Sequence, residues 1–349
     1  MNIHNFTVNI LPAGDFYFLR AESDLVGQTA PVILNSELVE DLAYSPVEYD
    51  LGSIKEMVTL GKDIYYKLFP ETLRTQFERA RAIAREQAAI LRLLLKFGES
   101  KLLHQVPWEL MHDGHRSIAL DPVTPIVRYI EQPNPVKSMR VKPPVRVLFT
   151  TACPKSRKPL DLTMEEKLLR SALKPFEQSV QLDVRRNVSL RQLRHAFIRA
   201  QQRELPFHIW HHCGHGTNHP VSTLFSLVLE EQGQIEPAFT KDITNIIEEC
   251  PTLRLAIFNV CLAGTTAVDA SGLAPGLAAI NVPATIGFRH VIDDPVALDF
   301  IRALYGALLD QPVDMALKIA TRALFDPIRP LDWTLPLLFL RTTEASLLT

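Results

Sequence analysis

The sequence contains few cysteines, no excess of charge of either sign and no long apolar run. Its four cysteines, Cys153, Cys213, Cys250 and Cys261, are too few and too scattered for a disulfide framework. Lysine and arginine number 37 against 39 aspartates and glutamates, so the formal net charge is −2 and there is no basic field for nucleic acid. No apolar stretch approaches the length that spans a bilayer. These absences predict neither a nucleic acid nor a membrane as a direct partner.

The N-terminal residues MNIHNFTVNILPAG lack the charged region, apolar core and small-residue cleavage site of a secretion signal. We therefore expect a cytoplasmic protein whose cysteines are thiols. The chain has 349 residues, of which 47% are hydrophobic and 22% charged, which is typical of a soluble globular protein. It is long enough for two compact units with a sizeable core.

The proline-rich segment 132–145, QPNPVKSMRVKPPV, predicts a linker. Before it, the patterns predict a β-hairpin, two helices and a strand, so residues 1–135 are expected to form a mixed α/β unit that is not catalytic. In residues 140–349, short apolar strands alternate with amphipathic helices. This alternation predicts an α/β fold whose mainly parallel sheet is covered by helices on both faces.

Two helices of this second part are each expected to open with a capping box, Thr163 to Glu166 and Ser189 to Gln192. Ligands of parallel sheets bind at the carboxyl ends of the strands. The segments HHCGHG (211–216) and NVCLAG (259–264) both fall where a predicted strand ends. Function is therefore expected at these two segments.

HHCGHG lies in the densest chemical cluster of the chain, because five of the eleven histidines fall within twelve positions. Zinc is one explanation, since histidine and cysteine are its ligands. Alternation along a strand, however, places His208 and His212 on one face and His211 and Cys213 on the other, so these ligands would not converge. Packed strand histidines are the preferred interpretation of His208, His211 and His212.

His215 differs from these because it lies between Gly214 and Gly216, which we expect in a sharp turn just after the strand, with accessible amide groups. Cys261 is expected to end the apolar strand 253–261, before a small-residue turn with Gly264, where a thiolate can be exposed. A solvated histidine and an inert buried thiol are the alternatives. A histidine and a cysteine from two strand ends form the pair that nucleophilic thiol chemistry requires.

The motifs GHG (214–216) and NVCLAG (259–264), with the following SGLAPGLAAINVPATIGF and DDPVALDFIRALYGALL, resemble those of the CHAT-domain cysteine peptidases, relatives of caspases and separases. Upstream, QVPWELMHDGHRSIALD, FTTACPKS and FSLVLEEQGQ also fall in the order of that family. The resemblance extends from about residue 53 to Trp333, so it is more specific than either motif alone.

This resemblance implies a caspase-like fold with His215 and Cys261 as a catalytic dyad and the backbone amides of Gly216 and Cys261 as the oxyanion hole. It implies hydrolysis of peptide bonds through a thioester acyl-enzyme, with no cofactor and no metal. It also implies an inactive caspase-like portion within residues 1–135. Members often cut one partner protein in bacterial defence or death pathways after an activating signal. We therefore expect a protein substrate and a regulatory partner or activating signal.

The sequence says less about which substrate is selected than about the catalytic residues. Basic specificity in relatives uses an acidic pocket, to which Asp269, Asp293 or Asp294 would contribute. A helix cap explains Asp293 or Asp294 without a ligand, because the following helix is expected to begin near Pro295. The cap is the preferred interpretation.

The chain departs from the family pattern at Cys213 and Ala263, where serine is common. Cys213 is interpreted as a structural substitution rather than as a second nucleophile. Two alternatives to a cysteine peptidase stay open: a catalytically silent caspase-like scaffold, and a zinc hydrolase built on HHCGHG.

Overall fold

The computed structural model describes residues 2–43, 54–98, 100–133, 138–218, 225–262, 273–289, 292–344 and 346–347. The chain divides into two compact units, Met1–Glu131 with Phe325–Thr334, and Gln132–Leu324 with Leu335–Thr349. The expected linker begins at the first boundary between them. The assignment of a non-catalytic role to 1–135 and a catalytic role to 140–349 stays a prediction.

The first unit is a mixed α/β layer whose predicted hairpin, helices and apolar strand are all present. Its elements are β1 (Ile3–Ala13), β2 (Phe16–Ser23), β3 (Gly27–Gln28), β4 (Val32–Asn35), α1 (Ser36–Ala43), α2 (Ile54–Leu68), α3 (Glu71–Glu86), β5 (Ile90–Lys96), α4 (Lys101–Gln105) and β6 (Ile126–Tyr129). β1 and β2 pair antiparallel, and β5 lies parallel between β1 and β6. β5 is almost continuously apolar because it is buried along its length.

The second unit alternates strands and helices as the sequence predicts. Its elements are β7 (Val145–Ala152), α5 (Leu162–Leu173), β8 (Val180–Arg185), α6 (Leu190–Gln202), β9 (Ile209–Asn218), β10 (Phe225–Glu231), β11 (Gln234–Phe239), α7 (Thr240–Glu248), β12 (Leu255–Leu262), α8 (Leu273–Ala279), β13 (Ala284–Phe288), α9 (Asp294–Ala307), α10 (Val313–Ala323) and β14 (Pro336–Leu340). One short 3-10 helix of this unit occupies Lys174–Phe176, and the first unit has three, at Trp108–Leu110, Ile118–Leu120 and Asp332–Thr334. In the described part of the chain, no helix is both long and apolar enough to cross a bilayer.

The sheet of the second unit confirms the predicted mainly parallel arrangement. Its strands follow the order β8-β7-β9-β12-β13-β14, and each pair is parallel except β13 with β14. The hairpin of β10 and β11 pairs antiparallel with the carboxyl end of β9. β9 and β12 are therefore central strands, with partners on both sides of β9.

Helices cover both faces of this sheet. On one face, α6, α7 and α8 pack on an apolar core that includes Leu148, Trp210 and Phe258. On the other face, α5 and α9 pack together, and Tyr305 of α9 stacks on His211 of β9 with ring centroids 5.7 Å apart. The predicted capping box of α6 is present, because Ser189 and Gln192 each accept a hydrogen bond from the other's backbone amide.

The capping box predicted at Thr163 is wrong. Asp161 is the N-cap residue of α5, and its carboxylate accepts a hydrogen bond from the Met164 amide at 3.0 Å. The helix thus begins before Thr163, whose amide is already in the first turn. Glu166, expected as the other half of the box, instead pairs with Arg170. Asp161, two residues before Thr163, can accept hydrogen bonds from the free amides of the first helical turn equally well. The sequence pattern alone therefore placed the start of α5 too late.

Candidate active site

The backbones of the two expected dyad residues lie side by side in the sheet. β9 and β12 are parallel, and their register pairs His215 with Cys261, Cys213 with Asn259 and His211 with Ile257. Neighbouring strands of a sheet are separated by about 4.8 Å. Two segments that are 46 residues apart in the sequence, 215 and 261, are therefore adjacent at the carboxyl ends of their strands. The side chain of Cys261 lies outside what the structure describes.

The turn expected at GHG is absent, since β9 continues through His215 to Asn218. Strand pairing holds this segment on both sides, because His215 pairs with Val228 of β10 as well as with Cys261 of β12. Gly214 and Gly216 are therefore not turn residues. They are positions where the backbone approaches its neighbours closely.

Lack of space for a side chain explains both glycines of the motif. A Cβ atom at Gly214 would lie 2.8 Å from the carbonyl oxygen of Ala152, which is fixed in β7. A Cβ atom at Gly216 would lie 2.7 Å from a ring carbon of Phe225 and 2.8 Å from a methyl group of Val260. Neither residue needs a positive φ, so packing rather than backbone conformation demands glycine at both positions.

The imidazole of His215 is buried and held by a backbone carbonyl. Its Nε2 lies 2.8 Å from the carbonyl oxygen of Lys158, in the segment between β7 and α5. A carbonyl oxygen can only accept, so Nε2 carries the proton and Nδ1 is the basic nitrogen of the neutral ring. The Sγ atom of Cys153 lies 3.9 Å from the same Nε2. Neither neighbour was indicated by a sequence pattern.

A buried polar cluster lies two residues behind His215 along β9 and is centred on Glu165 of α5. The thiol of Cys213 donates to Oε2 of Glu165, and the amide of Asn259 donates to Oε1 at 2.9 Å. Nε2 of His211 lies 3.5 Å from the same Oε1. The hydroxyl of Tyr305 lies 3.1 Å from the other ring nitrogen of His211. Burial, followed by the nearby Glu165 carboxyl group, raises the pKa of Tyr305 well above its ordinary value.

This Glu165 cluster ties α5 and α9 to the two strands that carry the expected dyad. The thiol of Cys213 is bound into it and only 4% of the residue is exposed, which supports a structural role for this cysteine. Asn259 could have been identified from the sequence, because strand alternation places it two positions before Cys261 on the same strand face. The sequence pattern of α5 did not indicate Glu165, because that pattern concerns only the apolar residues of the helix.

The two remaining histidines of the motif, His211 and His212, are buried in β9, and His208 lies half-buried just before that strand. Burial lowers the pKa of both His211 and His212 to about 3, and that of His208 to about 4. Nδ1 of His212 lies 2.9 Å from the hydroxyl of Thr150, and Nδ1 of His208 accepts the Arg146 amide at 3.0 Å. Among the described residues, no group of three or more His, Cys, Asp or Glu side chains is placed to hold a metal ion.

The other expected site residues are described only in part. Asp293 is exposed and is the N-cap residue of α9, but among the described residues its side chain makes no capping hydrogen bond. α9 begins at Asp294, whose side chain is outside the described part of the structure. Asp269 lies outside the described residues altogether. The oxyanion role of the Gly216 and Cys261 amides and the acidic substrate pocket stay predictions.

Replacement of Glu165 by leucine is expected to lower the free energy of unfolding by about 1–3 kcal/mol, because the buried donors of Cys213 and Asn259 lose their acceptor. Glu165→Gln keeps one acceptor oxygen and should cost less. Urea denaturation measures both. Glu177→Leu, at an exposed glutamate, is the matched control, with an expected change within about 0.5 kcal/mol. An unchanged stability for Glu165→Leu would contradict the importance of the cluster.

The sequence profile of the CHAT domain matches residues 58–339 of this chain. The chain therefore belongs to the CHAT-domain family, as its motifs predicted. The match extends across parts of both compact units. No curated protein is significantly similar to the chain in sequence.

Solved structures that are similar to the chain share little sequence identity with it, as three examples show. The separase–securin complex of Saccharomyces cerevisiae aligns with 97% of this chain at 10% identity and a TM-score of 0.49, and the alignment covers only 30% of the matched chain. The Drosophila initiator caspase Dronc aligns over 58% of this chain and 87% of its own, at 14% identity and a TM-score of 0.34. A secreted C11 cysteine protease from Bacteroides thetaiotaomicron, in complex with an irreversible peptide inhibitor, aligns over 51% and 57%, at 9% identity and a TM-score of 0.34.

Proposed function

We propose that this protein is a cysteine endopeptidase in which Cys261 is the nucleophile and His215 the general base. The observation that carries the proposal is the register of β9 and β12, which pairs these two positions directly. Paired positions on neighbouring strands share a face of the sheet, so their side chains are suited to interact. The hydrogen bond from His215 to the Lys158 carbonyl adds an oriented imidazole to this pairing.

In the proposed reaction, Nδ1 of His215 takes the thiol proton of Cys261, and the thiolate attacks the carbonyl carbon of the scissile peptide bond. The negative charge then moves to the substrate oxygen, where the amides of Gly216 and Cys261 would donate to it. As this intermediate collapses, the C–N bond breaks and the imidazolium returns its proton to the leaving amine. A water deprotonated by His215 then hydrolyses the thioester and restores the free thiol.

The Lys158 carbonyl has a defined role in this scheme. Nε2–H donates to it whether or not Nδ1 is protonated, so the ring keeps its orientation through both proton transfers. The hydrogen bond should also be stronger while the ring is charged, which favours the imidazolium that forms during the reaction. Lys158 is thus proposed to act through its backbone, and its side chain is not needed.

The proposed substrate is a specific protein, cleaved in the cytoplasm in a bacterial defence or cell-death pathway. Uncontrolled cleavage would harm the cell, so the proposal includes a regulatory partner or another activating signal. The CHAT-domain match supports the class of protein, and the substrate, the pathway, the location and the regulator are parts of the proposal. Neither a cofactor nor a metal is part of the proposed reaction.

An electrophilic peptide probe, such as a peptidyl acyloxymethyl ketone, tests the proposal by mass spectrometry of the labelled protein. We expect a single adduct at Cys261 and a labelling rate about 100-fold lower in His215→Asn, since a positioned base contributes at least this factor. His195→Asn, at an exposed histidine, is the matched control and should label normally. No adduct at Cys261, with or without cell extract as a source of activator, would favour the catalytically silent scaffold. An adduct at Cys153 would instead move the nucleophile to the end of β7.

A further inference from the structure

A cavity of about 390 Å³ lies between α6 and the strands β7 and β8 of the second unit. This volume is within the range of cavities that hold small organic ligands. The cavity is on the sheet face that α6 covers, whereas His211 and Cys213 of β9 contact Tyr305 and Glu165 on the opposite face. It is therefore separate from the proposed active site.

The floor of the cavity is apolar. Its accessible apolar surface comes from the half-buried Val184 and Ala196, and its lining also includes the buried side chains of Val188, Leu193 and Phe207. A surface of this kind binds the planar or aliphatic body of a ligand through burial of apolar area. A fully charged ligand such as inorganic phosphate alone would leave this floor uncovered.

The rim of the cavity is strongly basic. Its charged residues are Arg146, Arg185, Arg186, Arg199, Arg203 and a single aspartate, Asp183. Asp183 pairs with Arg185 at 2.9 Å, and Arg186 pairs with Glu166 at 2.6 Å. Among the described residues, no carboxylate lies within ion-pair distance of the other three arginines.

These three arginines are arranged around the apolar floor. The guanidinium of Arg146 lies over the Phe207 ring, 5.3 Å from its centroid, and its Nε is buried and makes no hydrogen bond to the described residues. Arg199 and Arg203 are four residues apart at the end of α6, a spacing at which like charges repel on one helix face. An anion between them would relieve this repulsion.

From this arrangement we infer that the cavity binds a phosphorylated small molecule with an apolar or planar body, of which a nucleotide is the simplest example. The planar guanidinium groups of Arg199 and Arg203 match the oxygens of a phosphate in bidentate geometry. The apolar floor at Val184 and Ala196 receives the body of the ligand. The inference is independent of the proposed peptidase activity, because it uses neither His215 nor Cys261.

Isothermal titration calorimetry with AMP, ADP, ATP, adenosine and sodium phosphate tests this inference on the full chain. We expect saturable binding of at least one adenine nucleotide, tighter than binding of either adenosine or phosphate. In Arg199→Ala/Arg203→Ala the affinity should fall by at least about tenfold, since charge-assisted hydrogen bonds are lost. Arg194→Ala is the matched control, because this exposed arginine of α6 pairs with Glu249 outside the cavity and should leave the affinity unchanged.

Hydrogen exchange locates the ligand independently of the variants, and we expect new protection in α6 and β8. Equal affinity for phosphate and nucleotide would overturn the role of the apolar floor. Absence of saturable binding by every nucleotide, or binding that persists in the double variant, would overturn the site. Displacement of the nucleotide by an excess of an acidic peptide, with tighter binding of the peptide, would make the cavity a protein-docking surface instead.

Discussion

Cys261→Ala is expected to abolish proteolysis, with a loss of at least about 10³-fold in kcat, because no other group replaces the covalent step. The fold should persist, since the change removes only one sulfur atom and alanine is small enough for the space of cysteine. Comparison of protein N-termini in cells that express the wild-type chain or Cys261→Ala measures the effect across all cellular proteins at once. The fragments present only with the wild-type chain identify the substrate and the residue before the scissile bond.

Cys213→Ala is the matched control for this experiment. Its thiol is buried and bound to Glu165, so it is not available to a substrate, and most activity should remain. The variant loses the hydrogen bonds of the Cys213 sulfur with Glu165 and Asn259 and should be destabilised by about 1–3 kcal/mol. If Cys213→Ala were inactive and folded while Cys261→Ala cleaved normally, the nucleophile would be assigned to the wrong strand.

Acidification is expected to destabilise the protein strongly between pH 6.5 and 5. Burial lowers the pKa of His211 and His212 to about 3, whereas the unfolded rings titrate near 6.5. Below pH 6.5 the unfolded state therefore binds protons that the folded state does not, and the free energy of unfolding falls with pH. Each histidine contributes a loss of about 1.6 kcal/mol over this interval, or about 3 kcal/mol together. The loss continues until the folded rings titrate near pH 3.

Urea denaturation at pH 6.5, 6.0, 5.5 and 5.0 measures this dependence. The double variant His211→Gln/His212→Asn should lose about 3 kcal/mol less than the wild type over the interval, whatever its stability at pH 6.5. His195→Asn, at an exposed position, should keep the slope of the wild type. Equal slopes for the double variant and the wild type would show that these two rings are not buried in the neutral form.

The order of strands and helices in the second unit was predictable because its apolar periodicities are strong. β9 and β12 are each recognisable as runs of apolar residues, and two parallel strands place their carboxyl ends at the same edge of a sheet. The sequence therefore predicts His215 and Cys261 close together, and the register of β9 and β12 agrees. The CHAT family is likewise recognisable from the segments around these residues.

Three features of the site were not predictable, each for a physical reason. The Lys158 carbonyl is a backbone atom, and every residue has one, so no residue type identifies it. Glu165 is a carboxylate on the buried side of α5, where periodicity counts only apolar residues. Gly214 resembles a turn residue because the sequence does not show that the Ala152 carbonyl lies 2.8 Å from its missing Cβ.

The pairing of β9 with β12 makes the distance across the sheet independent of the length of chain between the two strands. That connection contains the β10–β11 hairpin, whose turn at Gln232 and Gly233 has positive φ values at both residues, and Gln232 is exposed. Extra residues inserted there would lengthen the connection without moving either strand. The protein can therefore accept a grafted epitope or a reporter tag at this hairpin while the geometry between positions 215 and 261 is preserved.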